Sequence, residues 1–165
     1  MLIRPAIRED LPAIAALLDA LNAWEGYDQT TDTATLAQAL FAPERVVALH
    51  ALVAEGEARA VVGVLLYYPG YDTLSAAIGY HVADVVVEAA SRRQGGGRRL
   101  MAALAQRALT EDRHWISLTV LRKNRAARAF YEALGMQSVA VDFFAMGPAG
   151  IARCAAIASA LDSPG

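Results

Sequence analysis

Residues 83–104 read ADVVVEAASRRQGGGRRLMAAL, and the order of parts within them decides the fold. Val85, Val86 and Val87 end an apolar, β-branched run that suits the centre of a sheet. Leu100 to Leu104 open a stretch with helical spacing. Between them lie Gly95, Gly96 and Gly97, flanked by the pairs Arg92-Arg93 and Arg98-Arg99. Glycine costs a helix interior roughly 1 kcal/mol per residue, and guanidinium groups this close repel one another. A negative ligand approaching a bare backbone accounts for both features. A glycine turn entering a helix exposes N–H groups with no intrahelical partner, and the helix dipole adds partial positive charge. Two familiar phosphate loops do not fit. A Walker loop needs Gly-Lys-Ser/Thr, and GGGRRL has neither the lysine nor the hydroxyl. A dinucleotide fingerprint needs G-x-G-x-x-G, whereas Gly97 is followed by Arg98, Arg99 and Leu100.

Outward from this stretch, the chain reads as mixed α/β. LIRPAIRE alternates like a short strand, and EDLPAIAALLDALNAW has helical spacing with acids and a proline in its first turn. TDTATLAQALF predicts a helix capped by Thr31 or Asp32. RVVALHALVAE and ARAVVGVLLYY read as strands joined by EGEA, with the glycine in the turn. AIGYHVADVVVE is a third strand, central by its apolarity. RRLMAALAQRALTE is a helix, HWISLTVL a strand, and NRAARAFYEALG a helix closed by Gly135. QSVAVDFFAMG predicts a strand pair, and IARCAAIASAL a helical tail.

Composition narrows the class. The 165 residues are 56% hydrophobic, so a folded chain is expected. No apolar run approaches the roughly 18 residues of a membrane span, and charges within the first ten residues interrupt any signal-peptide core. Cys154 is the lone cysteine, which excludes an internal disulfide, suits a reducing cytoplasm and reads as a small buried apolar residue. The net charge of −2 argues against a general nucleic-acid binder. Its distribution says more: residues 1–88 hold 12 acids and 4 bases, residues 89–165 hold 5 acids and 11 bases. Such a chain suits a polyanion in one half and a cation in the other.

The glycine stretch has company. Arg92-x-x-Gly95-x-Gly97, after a valine-rich strand and before an amphipathic helix, resembles the acyl-CoA loop of the GNAT superfamily of N-acetyltransferases. The stretch NRAARAFYEALG matches the superfamily's second signature at Asn124, Ala127, Phe130, Tyr131 and Gly135. The strand–helix order agrees from about residue 2 to 148. More narrowly, LLYYPGYDT with GYHVADVVVEAASRRQGGG resembles the diamine/polyamine acetyltransferase subgroup.

The resemblance implies an α/β (α+β) GNAT fold. Its mixed, mostly antiparallel sheet has about six or seven strands flanked by helices, with a splayed central strand pair. It implies a single domain over 1–165, with a core at 2–148 and a helical tail at 149–165. The implied co-substrate is acetyl-CoA, with no metal. Val85, Val86 and Val87 would offer backbone groups to the pantetheine arm. Amides of Gln94, Gly95, Gly96, Gly97 and Arg98 would hold the pyrophosphate, with arginines such as Arg92 and Arg93 balancing its charge, and Asn124, Ala127, Phe130 and Tyr131 would complete the donor site. Gly96 departs from the apolar residue usual there, which predicts a more flexible loop and weaker or slower CoA binding. Tyr131 is the implied acid for the leaving thiolate.

The base is more open. Where related diamine enzymes carry Glu-Asp, this chain has Ala83-Asp84; Asp84 acting through water, and His81, are the two candidates. Acceptor contacts are expected from Trp24, Glu25, Tyr27, Asp28, Tyr71 and Asp84, acids attracting a cationic amine and aromatics walling its stem. Arg122-Lys123 stands where polyamine enzymes have an acidic-aromatic pair, and would repel a long polycation. The expected acceptor is therefore a smaller amine. A homodimer in the cytoplasm, with no nucleic-acid or membrane partner, completes the expectation. Two alternatives are an acyl-CoA-binding sensor without transferase activity and a protein N-terminal or lysine acetyltransferase.

Overall fold

The computed structural model describes residues 1–44 and 47–161, with side chains up to 156. Contacts divide the chain into two units, Met1–Arg125 and Ala126–Gly165. The first holds a sheet whose strands lie in chain order: β1 (Leu2–Pro5), β2 (His50–Glu55), β3 (Val61–Asp72), β4 (Ala77–Val87) and β5 (Ile116–Leu118). All neighbours are antiparallel except β4 and β5, which run parallel and are joined through helix α3 (Gly96–Thr110). The fold class matches expectation, but the sheet has five strands among the described residues rather than six or seven. The shortfall lies at residues 137–147, predicted as a strand pair, which adopt no regular structure. Alternating apolar residues alone do not make strands: Val139, Val141, Phe143 and Phe144 are exposed, with no cross-strand partner to satisfy their backbone. Of the predicted strand from Arg45, the observed part begins at His50; Arg45 and Val46 lie outside the described residues.

Both faces of the sheet are covered. Helices α1 (Leu11–Glu25) and α2 (Thr33–Phe41) bury Ile14, Leu17, Leu36 and Leu40 against Ala51, Val53, Val64, Leu66 and Val86. On the other face α3 contributes Leu100 and Leu104, both fully buried, and packs on β2, β3 and β4. Asp32 caps α2, accepting from the Ala34 amide at 3.0 Å and the Thr35 hydroxyl at 2.6 Å. The β2–β3 turn corrects one expectation. Gly56 has φ −92°, and the left-handed positions are Ala58 (φ 48°) and Arg59 (φ 64°).

In the second unit, α4 (from Arg125 to Glu132) is followed by Gly135 at φ 88°, the predicted stop, and α5 runs Pro148–Leu161. Cys154, expected to be buried, is exposed on α5.

The start of β4 is pinned by Trp115. Its indole N–H donates to the Ala77 carbonyl at 3.1 Å, and its ring lies against Gly79. A Cβ on Gly79 would come within 2.2 Å of the ring and 2.4 Å of the Trp115 carbonyl oxygen. Backbone cannot retreat as a flexible side chain can. Gly79→Ala is therefore expected to destabilise the protein by at least about 2 kcal/mol, read as a lower midpoint in urea unfolding. An unchanged midpoint would show that β4 and β5 separate freely.

Candidate functional site

The site is built on an irregularity in β4. Leu66 pairs with Asp84, but its neighbour Tyr67 pairs with Val82, so Ala83 is an extra residue on the β4 side. Side chains alternate across a strand, so residues 81 and 84 would ordinarily point to opposite faces. The bulge cancels that. His81 faces with Tyr68, its direct partner, and Asp84 faces with Leu66, two residues along from Tyr68. Leu66 belongs to the core under α1, so His81 and Asp84 share the α1 face.

Beyond the bulge β4 loses its second neighbour. Pairing with β5 runs from Tyr80–Ile116 to Val82–Leu118 and stops, whereas pairing with β3 continues through Val85, Val86 and Val87. Along 83–87 one edge of β4 therefore has no strand partner among the described residues. Such a stretch presents backbone N–H and C=O groups to an extended ligand.

The glycine loop follows directly. Arg93 (φ 65°) and Gly95 (φ 81°) are both left-handed, turning the chain into α3. The first helical bond is Arg99 N–H to Gly95 O at 2.9 Å, so the amides of Gly96, Gly97 and Arg98 precede it. A Cβ at Gly95 would meet no atom within 4 Å, so the approach to this backbone is open. Arg92, Arg93, Gln94, Arg98 and Arg99 are exposed around it, and Arg92 Nε holds the Val87 carbonyl at 3.1 Å. These groups fit a pyrophosphate: free amides, a helix N-terminus and surrounding guanidinium charge. Gly96 differs from the other two in being buried, with the Met1 thioether 2.9 Å from where its Cβ would stand.

Asp84 is half-buried, and its carboxyl makes no hydrogen bond or ion pair among the described residues. Burial, and secondarily the negative field of Glu25, push its carboxyl above the usual 3.8. His81 is lowered from 6.5 by burial, and its Nδ1 lies 3.0 Å from the Ser117 hydroxyl. Its ring sits 5.1 Å from that of Tyr68. Glu25 ends α1. Gly26, at φ 92°, stops the helix in a Schellman arrangement: its N–H reaches Ala23 O, and the Tyr27 N–H reaches Asn22 O at 2.8 Å. The carbonyl of Glu25 accepts instead from Lys123 Nζ at 3.1 Å.

Among the expected acceptor contacts, Glu25 and Asp84 are thus brought into electrostatic range. Trp24, in the last turn of α1, and Tyr27 and Asp28, just beyond it, are exposed. Tyr71 stands apart, five residues along β3 from Leu66 and on the opposite face by alternation. In the signature segment, Asn124 lies just before α4, its amide donating to Leu121 O at 2.8 Å, whereas Ala127, Phe130 and Tyr131 lie on α4. The Phe130 and Tyr131 rings meet edge to face, 5.1 Å apart.

Sequence reasoning missed two arrangements. One is the Lys123–Glu25 contact, whose partners lie 98 residues apart. The other is a polar cluster at the far end of α3. There Glu111 accepts from the Tyr80 hydroxyl and from Arg107 Nε, with Arg113 alongside. Only the apolar-to-polar change at the end of α3 signalled it.

A family model described as "Acetyltransferase (GNAT) family" matches residues 13–136. An L-ornithine N5-acetyltransferase of Arabidopsis thaliana is 31% identical over 77 residues, 47% of this chain and 34% of that protein. The chain thus spans about a third of the length of this relative. Solved structures share the fold. An integron cassette protein from the mobile metagenome of V. cholerae superposes with a TM-score of 0.76 at 20% identity, covering 93% of this chain and 96% of that one. An aminoglycoside acetyltransferase from an uncultured soil metagenomic sample, in complex with sisomicin, gives 0.71 at 20% identity, covering 88% and 95%.

The raised carboxyl of Asp84 has a stability consequence. Between 3.8 and its higher folded value, the folded state binds more protons than the unfolded state. Stability contributed at this position therefore falls as pH rises through that window. Asp84→Asn should unfold at higher denaturant concentration than wild type at pH 7, with the gap closing below pH 3.8. A variant less stable than wild type at pH 7 would contradict the burial argument. In Glu25→Gln, the Asp84 carboxyl carbon should titrate at lower pH by NMR, since a like charge has been removed.

Proposed function

Because the chain belongs to the acetyltransferase (GNAT) family, we propose that it is an acetyl-CoA-dependent N-acetyltransferase acting on a primary amine of a small cationic acceptor. The observation that carries this reading is Asp84: half-buried, without a hydrogen-bond partner among the described residues, and on the bulge where β4 loses its β5 neighbour. A carboxylate left unpaired in such a place costs stability and suits proton chemistry. The relative's L-ornithine N5 activity and the aminoglycoside acetyltransferase fold support an amine on a small cationic molecule as acceptor.

The donor binds along the open edge of Val85–Val87, with its pyrophosphate on the amides of Gly96, Gly97 and Arg98. Asn124, Ala127 and Phe130 complete the donor site. The acceptor arrives as an ammonium ion drawn by Glu25 and Asp84, and Asp84 takes its proton directly or through water. The freed nitrogen lone pair attacks the thioester carbonyl carbon, an amide C–N bond forms, and the C–S bond breaks. A β4 backbone N–H steadies the carbonyl oxygen, and Tyr131 gives the leaving thiolate its proton. His81, held neutral at pH 7 by burial, lines the acceptor side beside Tyr68 and Ser117. Trp24 and Tyr27 wall the entrance. The protein works as a cytoplasmic homodimer of single-domain chains.

Thiol release from acetyl-CoA, measured across short diamines, polyamines, basic amino acids, aminoglycosides and peptides, tests the reading. Release should depend on one class of small amine. Asp84→Asn and Tyr131→Phe should each lower kcat/KM by about 10²–10⁴-fold. No release with any amine, while CoA still binds, would leave an acyl-CoA sensor. Release with peptides alone would make it a protein acetyltransferase.

A further inference from the structure

The acidic pair on the α1 face has a cation built in beside it. Lys123 is exposed, and an exposed lysine ordinarily keeps its long side chain free in water. Here its ammonium is fixed 3.1 Å from the carbonyl of Glu25, the last residue of α1. Gly26 diverts the chain there, and the carbonyl end of the helix dipole favours positive charge. The ammonium has three N–H donors, and one is used by this carbonyl. The carboxylate of the same residue acts on Asp84. Arg122, also exposed, adds a second positive charge next in sequence. Around the end of α1 the surface therefore offers the Glu25 carboxylate, the Asp84 carboxylate it acts on, and an anchored ammonium with donors to spare.

A plain diamine or polyamine answers only half of this arrangement. Its far cation meets Lys123 and Arg122, and like charges a few ångströms apart near a surface repel. A neutral amine leaves Asp84 without a partner. A molecule with an ammonium at one end and a carboxylate at the other satisfies both halves. Resting on the transferase reading above, we infer that the acceptor is a small cation with a zwitterionic head, an amino acid carrying a second amine at the end of its side chain, whose carboxylate offsets its own α-ammonium where a diamine presents a bare cation. The terminal ammonium goes to Glu25 and Asp84, and the carboxylate goes to Lys123. Lys123 is a specificity-determining residue and takes no part in the chemistry.

L-ornithine and putrescine form the decisive pair, differing only by the carboxylate. L-lysine and L-lysinamide provide a second pair in which only that charge is removed. For each compound, KM and kcat come from thiol release, and Kd from calorimetry on the CoA-loaded protein. Wild type should favour each carboxylate-bearing compound, on the order of tenfold and in KM and Kd rather than kcat. Lys123→Gln should remove that preference, Lys123→Arg should retain most of it, and Lys123→Glu should invert it. Equal affinity for both members of each pair, a preference for putrescine, or a preference that survives Lys123→Gln would overturn the inference. So would no binding of any of the four compounds. Carboxylate-dependent binding without thiol release would refute the transferase reading and leave the zwitterion site standing.

Discussion

One extra residue in β4 governs the geometry on which everything else depends. A regular strand would send His81 and Asp84 to opposite faces. With Ala83 inserted opposite the Leu66–Tyr67 step, both face α1. The same bulge marks where β4 leaves β5, whose pairing stops at Val82–Leu118. A bulge increases local twist and bends its strand, so the change of face and the loss of a neighbour have one cause. The result is a half-buried carboxylate beside a length of unpaired backbone. Neither arrangement suits a strand whose only task is to hold a sheet together.

Held from both sides, that irregularity survives. Upstream, Trp115 lies against Gly79 and its indole N–H reaches Ala77, which ties the start of β4 to the start of β5. Downstream, Val86 packs into the core under α1, and Arg92 caps the Val87 carbonyl. On the α3 face, Glu111, Arg107 and Arg113 gather around Tyr80, and the Tyr67 ring lies edge-on to it with centroids 4.9 Å apart. Tyr67 is fully buried, and burial raises its phenol to about 12, so it stays neutral there. The rigid part of the site is its scaffold; the open part is the edge at 83–87.

Much of this was legible in the sequence, for identifiable reasons. Helices with an unambiguous stop or cap, at Asp32 and Gly135, appear where they were expected. The glycine loop was readable because a bare helix N-terminus favours glycine, and Gly95, at φ 81°, also uses glycine's conformational freedom. Strands were harder. Residues 137–147 alternate well yet form none, because a strand is defined by its partner and alternation says nothing about one. The bulge was invisible for the same reason: Ala83 is extra only relative to Leu66 and Tyr67. Tyr71 looked like an acceptor residue by composition, and only parity along β3 turns it to the far face.

Charge shows the limit of reading by sum. The first 88 residues carry an excess of eight acids, which suggests a diffuse field for cations. Folding spends much of that excess locally. Asp10 and Glu55 pair with Arg4, Asp32 caps α2, Asp19 accepts the Thr31 amide, and Asp72 closes the turn through Ser75. These carboxylates are neutralised or bonded within their own neighbourhoods, and little of their field reaches a ligand. Asp84 and Glu25 are different. Neither side chain has a hydrogen bond or ion pair among the described residues, and they lie close enough for Glu25 to act on Asp84. A fold that satisfies Asp10, Asp19, Asp32, Glu55 and Asp72 nearby, and leaves two acids together with one of them half-buried, suits something that arrives from outside. With Lys123 fixed at the carbonyl of Glu25, the charge pattern at that spot is mixed in sign. On the reading proposed above, such a spot would select an arrangement of charges rather than an amount of positive charge.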